Sequence, residues 1–436
     1  MSILNKTEGL CNICFAKIPA ETFARNGRVF IQKKCEEHGS FVTNHFWDDP
    51  EIYNSLLKLR TIPQKSAQVT LIITNKCNLN CPVCFAKANE LDARDMNFED
   101  IEKLDFYRSV FISGGEPTIR QDLPKIIRML RRRKSRIILF SNGIKLANKK
   151  YAKLLRKSGL GCVILQFDTL DDKLNQLMRG RKMLDIKKQA IENLEELGVK
   201  IISGSVMLRG KNFNHLREYF KFCFSHPAIK TMGINPLKEI GRYPKKDFVP
   251  SSEIIEKSNK ILKLNKNDWI ESTRFLLDID KLMSVIKKRN RVFSKCRLRC
   301  FFFLHKGECI SLSKVFSLGK INQKIVKIYL EKRVWKAYLF LISVIWSEFI
   351  LNFFYNRNYR LFIVELLKNA TRVIQNKSRF LNPFRSLCIS VYPTQENLDF
   401  DFIKGCNFNI FNPENSTYRP ACLHRLSNYF KQESKL

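Results

Sequence analysis

From Gln68 onward, short apolar runs alternate with helix-length segments, and this rhythm constrains the fold more than any other feature of the sequence. The runs VTLIIT, SVFIS, RIILF, CVILQFD, KIISGSVML and MGINPL read as strands. Between them lie helical patterns such as IKKQAIENLEELG, which closes on Gly198. Strands and helices that alternate in this way form a parallel sheet. Because about six β/α units are fewer than the eight of a closed barrel, we predict an α/β fold with an open, partial (β/α)6 TIM barrel.

Three cysteines follow the first predicted strand at the spacing CxxxCxxC, namely Cys77, Cys81 and Cys84. In parallel β/α folds the chemistry lies at the C-terminal ends of the strands, which is where this loop begins. A 4Fe-4S cluster normally takes four thiolates, so three would leave one iron open to a small molecule. The alternative is a structural zinc site, which is usually built from CxxC pairs with a fourth ligand nearby. The spacing and its position after a strand favour the cluster.

Further polar residues and glycines follow the later strands. Gly114, Gly115 and Glu116 come directly after the second strand. Two glycines let the backbone approach a ligand closely, and a glutamate offers an acceptor for an ammonium group. The ends of strands three, four and six supply further candidates, for which turn and capping chemistry is an equally good explanation: Ser141, Asn142, Asp168 and Asn235.

With these motifs, residues from about 66 to 245 resemble the radical S-adenosylmethionine (SAM) superfamily. The resemblance implies that Cys77, Cys81 and Cys84 hold a 4Fe-4S cluster whose fourth iron is chelated by SAM. It also implies that the motif Gly114–Glu116 contacts the methionine amino group of SAM, and that the segment around Ser141 and Asn142 contacts its ribose or carboxylate. An electron from the reduced cluster would cleave SAM to a 5′-deoxyadenosyl radical, which abstracts a hydrogen atom from the substrate.

The first 65 residues predict a small metal-binding module. Cys11 and Cys14 are followed by short alternating strands and then by Cys35 and His38. A module of this size buries little core, so a bound metal would supply much of its folding free energy. The fourth ligand stays open between His38 and a distant cysteine. We divide the remaining chain into a core at residues 66–268 and a mainly helical, cluster-binding extension at residues 269–436.

A closer resemblance, to the tetraether synthase branch of the superfamily, rests on CNIC…CEEHG, CNLNCPVCFA and LQFDTLDD…MRGR. This branch includes a proposed methylase of pterin precursors. It implies a mononuclear iron or zinc site at Cys11, Cys14 and Cys35. It further implies an auxiliary 4Fe-4S cluster, for which the matching residues are Cys296, Cys300, Cys406 and Cys422. Cys309 and Cys388 remain unassigned, and Cys162 and Cys223 are interpreted as buried thiols.

Charge and hydrophobicity suggest where the protein works. The 436 residues carry a formal net charge of +36, which would attract nucleic acid or an anionic membrane surface. The opening MSILNKTEGL has no apolar signal region, so we expect a reducing, cytoplasmic location. Residues 325–375 combine apolar faces with tryptophans and cations, which is typical either of interfacial helices or of a helical core subdomain. A membrane span within Val334–Asn356 is the less favoured alternative because its uncharged run is short.

These features lead to one preferred function and several alternatives. We expect a radical SAM enzyme that acts on a lipid-like substrate at an unactivated C–H bond, with C–C coupling of alkyl chains as the model reaction. The alternatives are a radical SAM methylase of a pterin-like small molecule and an enzyme that modifies tRNA or a peptide. Nucleic acid is disfavoured because no RNA-binding module is recognisable. An electron donor such as ferredoxin or flavodoxin is the expected protein partner.

Overall fold

The structure is a computed structural model. It describes residues 2–59, 68–90, 94–105, 107–237, 242–243, 247–287, 296–316, 318, 321, 323, 325, 327, 356–374, 384–391, 393–394, 396–403, 409–413 and 416–420. Residues 334–355 of the predicted apolar segment lie outside this set, as do Cys406 and Cys422. None of the described helices combines the length and hydropathy needed to cross a membrane.

The N-terminal module is a four-stranded antiparallel sheet in the order β1-β2-β3-β4, followed by a helix. Its elements are β1 (Ser2–Leu10), β2 (Lys17–Arg25), β3 (Arg28–Cys35), β4 (Gly39–Asn44) and α1 (Pro50–Leu57). The turn between β2 and β3 is Asn26-Gly27, with φ of 50° and 70°. Because an Asn-Gly pair with positive φ forms a tight two-residue hairpin, these two residues set the register of the module.

The six predicted strands are confirmed as one continuous parallel sheet. They are β5 (Gln68–Ile72), β6 (Ser109–Ser113), β7 (Arg136–Ser141), β8 (Cys162–Gln166), β9 (Lys200–Met207) and β10 (Ile229–Pro236). Each pairs in parallel with the next strand along the chain. The described helices of this region are α2 (Phe98–Glu102), α3 (Leu123–Arg132), α4 (Lys149–Ser158), α5 (Asp172–Arg179), α6 (Leu184–Glu196), α7 (Leu216–Ser225) and α8 (Ser251–Leu262).

Local sequence explains how these helices start and stop. Helix α4 begins at the N-cap Asn148, whose Oδ1 accepts the backbone N–H of Tyr151 at 3.1 Å. It ends at Gly159, which has a φ of 112° and therefore takes a left-handed C-cap conformation that favours glycine. The apolar faces of the helices pack on the sheet in one shared core, in which Ile127 and Leu155 are fully buried.

The chain beyond residue 265 adds strands to both edges of this sheet. Its described helices are α9 (Lys266–Lys287), α10 (Leu312–Val315), α11 (Arg357–Ile374) and α12 (Phe400–Ile403), and its strands are β11 (Arg297–His305), β12 (Glu308–Ser311), β13 (Arg385–Ser390), β14 (Asn409–Asn412) and β15 (Thr417–Pro420). The sheet order is β12-β11-β13-β10-β9-β8-β7-β6-β5-β14-β15. Strands β13 and β14 run parallel to their neighbours β10 and β5. The sequence analysis predicted a mainly helical extension and missed these strands.

Candidate functional site

The loop that carries the CxxxCxxC cysteines leaves the C-terminal end of β5 and is fixed by side chains that bind its backbone. Asn89 Oδ1 accepts the N–H of Cys77 at 2.7 Å, and Asn89 Nδ2 donates to the carbonyls of Cys77 and Leu79 at 3.2 and 3.4 Å. From the other side, Arg242 Nη1 donates to the carbonyl of Cys81 at 3.2 Å. Protein groups therefore hold the loop in one shape.

The thiols of Cys77, Cys81 and Cys84 all line one cavity of about 250 Å³ at the C-terminal edge of the sheet. A tetrahedral zinc site with Zn–S bonds of about 2.3 Å brings its sulfur atoms to roughly 3.8 Å from one another. Among the described residues, these three sulfurs do not form such a compact group. Their spacing and chemistry therefore fit a larger iron-sulfur cluster better than a single zinc ion.

The electrostatics of the site disfavour free thiolates at Cys77 and Cys81. Burial raises the pKa of the Cys77 thiol to about 11, and the negative charges of Glu116, Cys81 and Cys84 add to the rise. Burial also raises the pKa of Cys81. Because metal binding requires deprotonated thiols, the positive charge of bound iron would have to stabilise them.

The two glycines after β6 allow the backbone to pass very close to the cysteine loop. The N–H of Gly115 donates to the carbonyl of Thr74 at 2.8 Å, and the N–H of Glu116 donates to the carbonyl of Lys76 at 2.9 Å. A Cβ on Gly114 would lie 2.2 Å from the Thr74 carbonyl oxygen, and a Cβ on Gly115 would lie 2.3 Å from that of Lys76. Only glycine fits at these two positions, so the pair is explained by this close approach.

The sequence suggested that Glu116 accepts a hydrogen bond from an ammonium group of a ligand, but in the structure its carboxylate accepts hydrogen bonds from protein groups. Its buried carboxylate accepts hydrogen bonds from Thr118 N and Oγ1 at 3.1 and 2.6 Å, from Ser141 Oγ at 3.0 Å and from the backbone N–H of Asn142 at 2.6 Å. Burial raises the pKa of this carboxyl group. The carboxylate thus ties the end of β6 to the end of β7, while the motif as a whole lines the cavity.

The remaining strand-end candidates divide into two groups. Ser141, Asn142 and Asn235 line the cavity, and Asn142 Nδ2 donates to Asn78 Oδ1 in the cysteine loop at 2.7 Å. Among the described residues that line the cavity, Asp168 is not included, but it contacts Arg179, which is. Its Oδ2 accepts from Arg179 Nε and Nη2 at 2.8 and 2.7 Å. Asp168 therefore acts on the site through Arg179.

Sequence reasoning missed two buried cations, Arg179 and Lys187. Arg179 lines the cavity and makes a hydrogen bond with the Cys81 side chain. Lys187 Nζ donates to the carbonyl of Gln166 at 2.6 Å, to Gln166 Oε1 at 2.7 Å and to the carbonyl of Asn142. Burial lowers the pKa of Lys187 to about 7. Lys187 lies four residues after the buried Met183 in the helical pattern, so periodicity could have placed it on the inner face of α6.

The N-terminal module brings together four candidate ligands: Cys11, Cys14, Cys35 and His38. Their ligand atoms all lie within 4.8 Å of one another. His38 Nδ1 is 3.8 Å from Cys11 Sγ and 3.5 Å from Cys35 Sγ, and the sulfurs of Cys14 and Cys35 are 4.0 Å apart. These separations match a tetrahedral mononuclear site. The geometry favours His38 over a distant cysteine as the fourth ligand.

Of the four residues proposed for an auxiliary cluster, the structure describes only Cys296 and Cys300. Cys300 is fully buried in β11, whereas Cys296 is only partly buried just before that strand. Within the described residues, the N-terminal module holds the one group of three or more His, Cys, Asp or Glu ligand atoms with metal-binding spacing. Cys406 and Cys422 lie outside the described residues, so the auxiliary cluster stays a prediction.

Comparisons with known proteins agree with this architecture. A radical SAM superfamily model matches residues 71–223, and a model described as the HMPTM N-terminal zinc ribbon domain matches residues 3–44. Over 280 residues the chain is 31% identical to the 7,8-dihydro-6-hydroxymethylpterin dimethyltransferase of Methanocaldococcus jannaschii, covering 56% of this chain and 55% of that protein. Over 202 residues it is 32% identical to a probable GTP 3′,8-cyclase of Methanococcus vannielii, covering 44% of this chain and 67% of that one.

The chain thus spans from about half to two thirds of the length of these two curated relatives. Likeness to solved structures is weaker. The crystal structure of Streptococcus suis SuiB bound to precursor peptide SuiA is 22% identical, with 45% of this chain and 46% of that chain covered and a TM-score of 0.39.

Proposed function

Because this chain belongs to the radical SAM superfamily, we propose that the cavity beyond β5–β10 binds a 4Fe-4S cluster and SAM and carries out hydrogen abstraction from a small organic substrate. When bound, the cluster and SAM supply one reducing electron and a 5′-deoxyadenosyl radical, with methionine as the second product of SAM cleavage. The convergence of Cys77, Cys81, Cys84 and the Gly114–Glu116 motif in one cavity is the observation that carries the proposal.

The protein's own residues have three tasks in this proposal. The cysteine loop holds the cluster, and its fixed backbone keeps the thiols in place. The Gly114–Gly115 backbone shapes the wall on which the methionine part of SAM would lie. Glu116 positions Ser141 and Asn142 beside it through two hydrogen bonds, which it accepts from Ser141 Oγ and from the backbone N–H of Asn142. The apolar part of the wall, which includes Phe140, keeps water away from a radical.

For the substrate, we favour the pterin-like small molecule that the sequence analysis gave as an alternative. The 31% identical relative, named as a 7,8-dihydro-6-hydroxymethylpterin dimethyltransferase, supports this choice. The lipid-coupling function that the sequence analysis preferred has no support from the comparisons. We therefore propose methylation of a pterin-like ring, in which a separate one-carbon donor supplies the methyl group and 5′-deoxyadenosine carries away the abstracted hydrogen. A low-potential ferredoxin or flavodoxin supplies the electrons.

The N-terminal site has a separate, structural role in this proposal. Four protein ligands around a mononuclear metal leave no open position for a substrate, which is typical of a structural zinc site. We propose that Cys11, Cys14, Cys35 and His38 bind zinc. The bound ion would supply folding free energy to the module.

The decisive experiment replaces one cluster ligand. Cys81→Ala removes a thiolate, so the reconstituted variant should lose about four irons per chain and form no 5′-deoxyadenosine from SAM and dithionite. Its zinc content should match the wild type because the N-terminal ligands are unchanged. Anaerobic reconstitution, metal analysis and chromatography of the nucleoside products measure all three quantities.

The matched control is Cys162→Ala, which also removes a buried thiol. Cys162 packs in β8 against Phe111 and Ile138, outside the cavity wall. This variant should keep its iron and its SAM cleavage. Cleavage at the wild-type rate in Cys81→Ala would refute the assignment. To test the substrate, wild-type enzyme is incubated with SAM, dithionite and 7,8-dihydro-6-hydroxymethylpterin, and the formation of 5′-deoxyadenosine should rise when the pterin is added.

A further inference from the structure

A second cavity, of about 170 Å³, lies beside the cavity that the three cysteines line. Pro236 and Leu237, at the end of β10, line both cavities. Val391 and Thr394, which follow the parallel strand β13, form another part of its wall. The cavity therefore lies at the C-terminal ends of two neighbouring parallel strands, where ligands bind in folds of this type.

The N-terminal module closes this second cavity. Thr43 and Asn44, at the end of β4, line it together with His45 and Phe46. His45 is 2% exposed, and its Nδ1 accepts the backbone N–H of Trp47 at 3.0 Å. In the part of the chain that the structure describes, His45 Nε2 makes no hydrogen bond. This atom instead lies 3.5 Å from the buried Asp399 Oδ2, so His45 is held in the wall between the Trp47 backbone and that carboxylate.

The lining identifies the kind of ligand that fits. Although the chain carries a net charge of +36, no lysine or arginine is among the described residues of the wall. Its one carboxylate, Asp48, already accepts from Ser251 Oγ at 2.8 Å and from Ser252 N and Oγ at 3.1 and 2.5 Å. A phosphate or carboxylate ligand would find no cation to pair with, and a cation would find a carboxylate that is already occupied.

The wall instead offers aromatic surface and neutral hydrogen-bonding groups. Phe46 and Phe248 supply aromatic rings, and Asn44 and Asn397 supply amides. Asn397 Oδ1 accepts from Thr394 N at 2.8 Å and from Thr394 Oγ1 at 3.2 Å, which leaves the Nδ2 group to donate to a ligand. Aromatic faces favour a flat ring, and amides favour a ring with hydrogen-bonding edges.

We propose that this second cavity binds the uncharged, flat nitrogen heterocycle of the substrate and thereby directs its reacting carbon toward the catalytic cavity. The inference rests on the proposed function and adds to it the subsite that selects the substrate. It also explains why the N-terminal module is attached at this edge, since the exit of β4 supplies part of the wall. Triphosphate-bearing substrates are disfavoured at this subsite because its described wall contains no cationic side chain.

The test fills the cavity from β4 and uses a control on the same strand. In Thr43→Trp an indole replaces a side chain of the cavity wall, whereas in Val42→Trp the indole replaces a side chain that is 53% exposed. Anaerobic equilibrium dialysis of reconstituted, SAM-bound protein measures the affinity for 7,8-dihydro-6-hydroxymethylpterin. We expect Thr43→Trp to weaken binding by about tenfold or more and Val42→Trp to bind as the wild type does.

A second variant keeps the test valid if Thr43→Trp fails to fold, which zinc content and thermal unfolding would reveal. Asn397→Asp keeps the oxygen that Thr394 uses but removes the N–H donors, so affinity should fall about three- to tenfold. Wild-type affinity in folded Thr43→Trp or in Asn397→Asp would overturn the subsite and leave the proposed function standing. If the wild-type protein cleaves SAM but does not bind the pterin, the subsite and the proposed substrate class are both wrong.

Discussion

At the scale of single residues, backbone approach determines the site more than charge does. Gly114 has a φ of 151°, and its neighbour Gly115 lies against the carbonyls of Asn75 and Lys76. Any side chain at either position would push β6 and the cysteine loop apart. Because the thiols of Cys77, Cys81 and Cys84 belong to that loop, the absence of a side chain at Gly114 and Gly115 controls where these thiols lie.

Gly115→Ala tests this dependence. The new Cβ would lie 2.3 Å from the Lys76 carbonyl oxygen, so the cysteine loop must shift or the protein must unfold partly. We expect iron loading of the reconstituted protein to fall at least about fivefold. The free energy of unfolding should drop by about 2 kcal/mol or more. The control is Gly161→Ala, where no atom lies within 4 Å of the new Cβ. Full iron loading in Gly115→Ala would contradict the close-approach explanation.

The sequence predicted which residues share a site where a motif sets their spacing. It did not predict hydrogen bonds between residues from distant segments of the chain. The spacing of Cys77, Cys81 and Cys84 indicated a shared site, and all three line one cavity. The internal hydrogen bonds of Glu116 could not be predicted, because its partners Ser141 and Asn142 are 25 and 26 residues away. Which groups face a carboxylate depends on tertiary packing, which no local pattern encodes.

At the scale of elements, the C-terminal region adds strands to both edges of the predicted partial barrel. Strand β13 pairs with β10, and strand β14 pairs with β5, so the six predicted parallel strands gain a parallel neighbour on each side. The sequence did not reveal β13 because all six of its residues are buried, so RSLCIS shows no alternation of apolar and polar positions. Its Arg and Ser residues also make it less apolar than a typical buried strand.

The side chain of Arg385 fixes strand β13 to the start of its neighbour β10. Arg385 Nη1 donates to the carbonyls of His226 and Pro227 at 3.1 and 3.0 Å and to that of Ile229, at the start of β10. Arg385→Met leaves these carbonyls buried without that donor, so we expect a loss of about 2 kcal/mol or more in stability. The substitution should accelerate amide hydrogen exchange more in β13 than in β8.

The control for Arg385→Met is Arg299→Met, on the adjacent strand β11. The guanidinium of Arg299 lies over the Phe301 ring at 5.8 Å, a contact worth less than three carbonyl hydrogen bonds. Its effect on stability should stay below about 1 kcal/mol. Equal effects of the two substitutions would show that the carbonyl contacts do not hold β13.

At the scale of the whole molecule, the N-terminal module contacts the segment around α12 in the C-terminal region. Thr7 Oγ1 in β1 donates to Asp399 Oδ1 at 2.7 Å, and Asn5 Nδ2 donates to Asp401 Oδ2 at 3.0 Å. His45 Nε2 lies 3.5 Å from Asp399 Oδ2, and both side chains are fully buried. The metal-binding module is therefore part of the surface on which the segment around α12 packs.

Loss of the N-terminal metal should therefore lower protection from hydrogen exchange beyond the module as well as within it. Cys14→Ser removes one of four ligands, so zinc content should fall to near zero and residues 2–44 should lose most of their protection from hydrogen exchange. Because Thr7 and Asn5 then no longer hold Asp399 and Asp401, protection of residues 398–403 should fall as well.

Ile13→Ser is the control for that experiment, since Ile13 lies between two ligands but is 57% exposed. Its backbone N–H, which donates to Cys11 Sγ at 3.4 Å, is unaffected by the substitution, so zinc and protection should be retained. If zinc loss in Cys14→Ser left residues 398–403 as protected as in the wild type, the contacts of Asp399 and Asp401 would not couple the two ends. Spread of the loss to residues 398–403 would instead identify the metal as a stabiliser of the wall that borders the second cavity, because Thr394 and Asn397 immediately precede that segment.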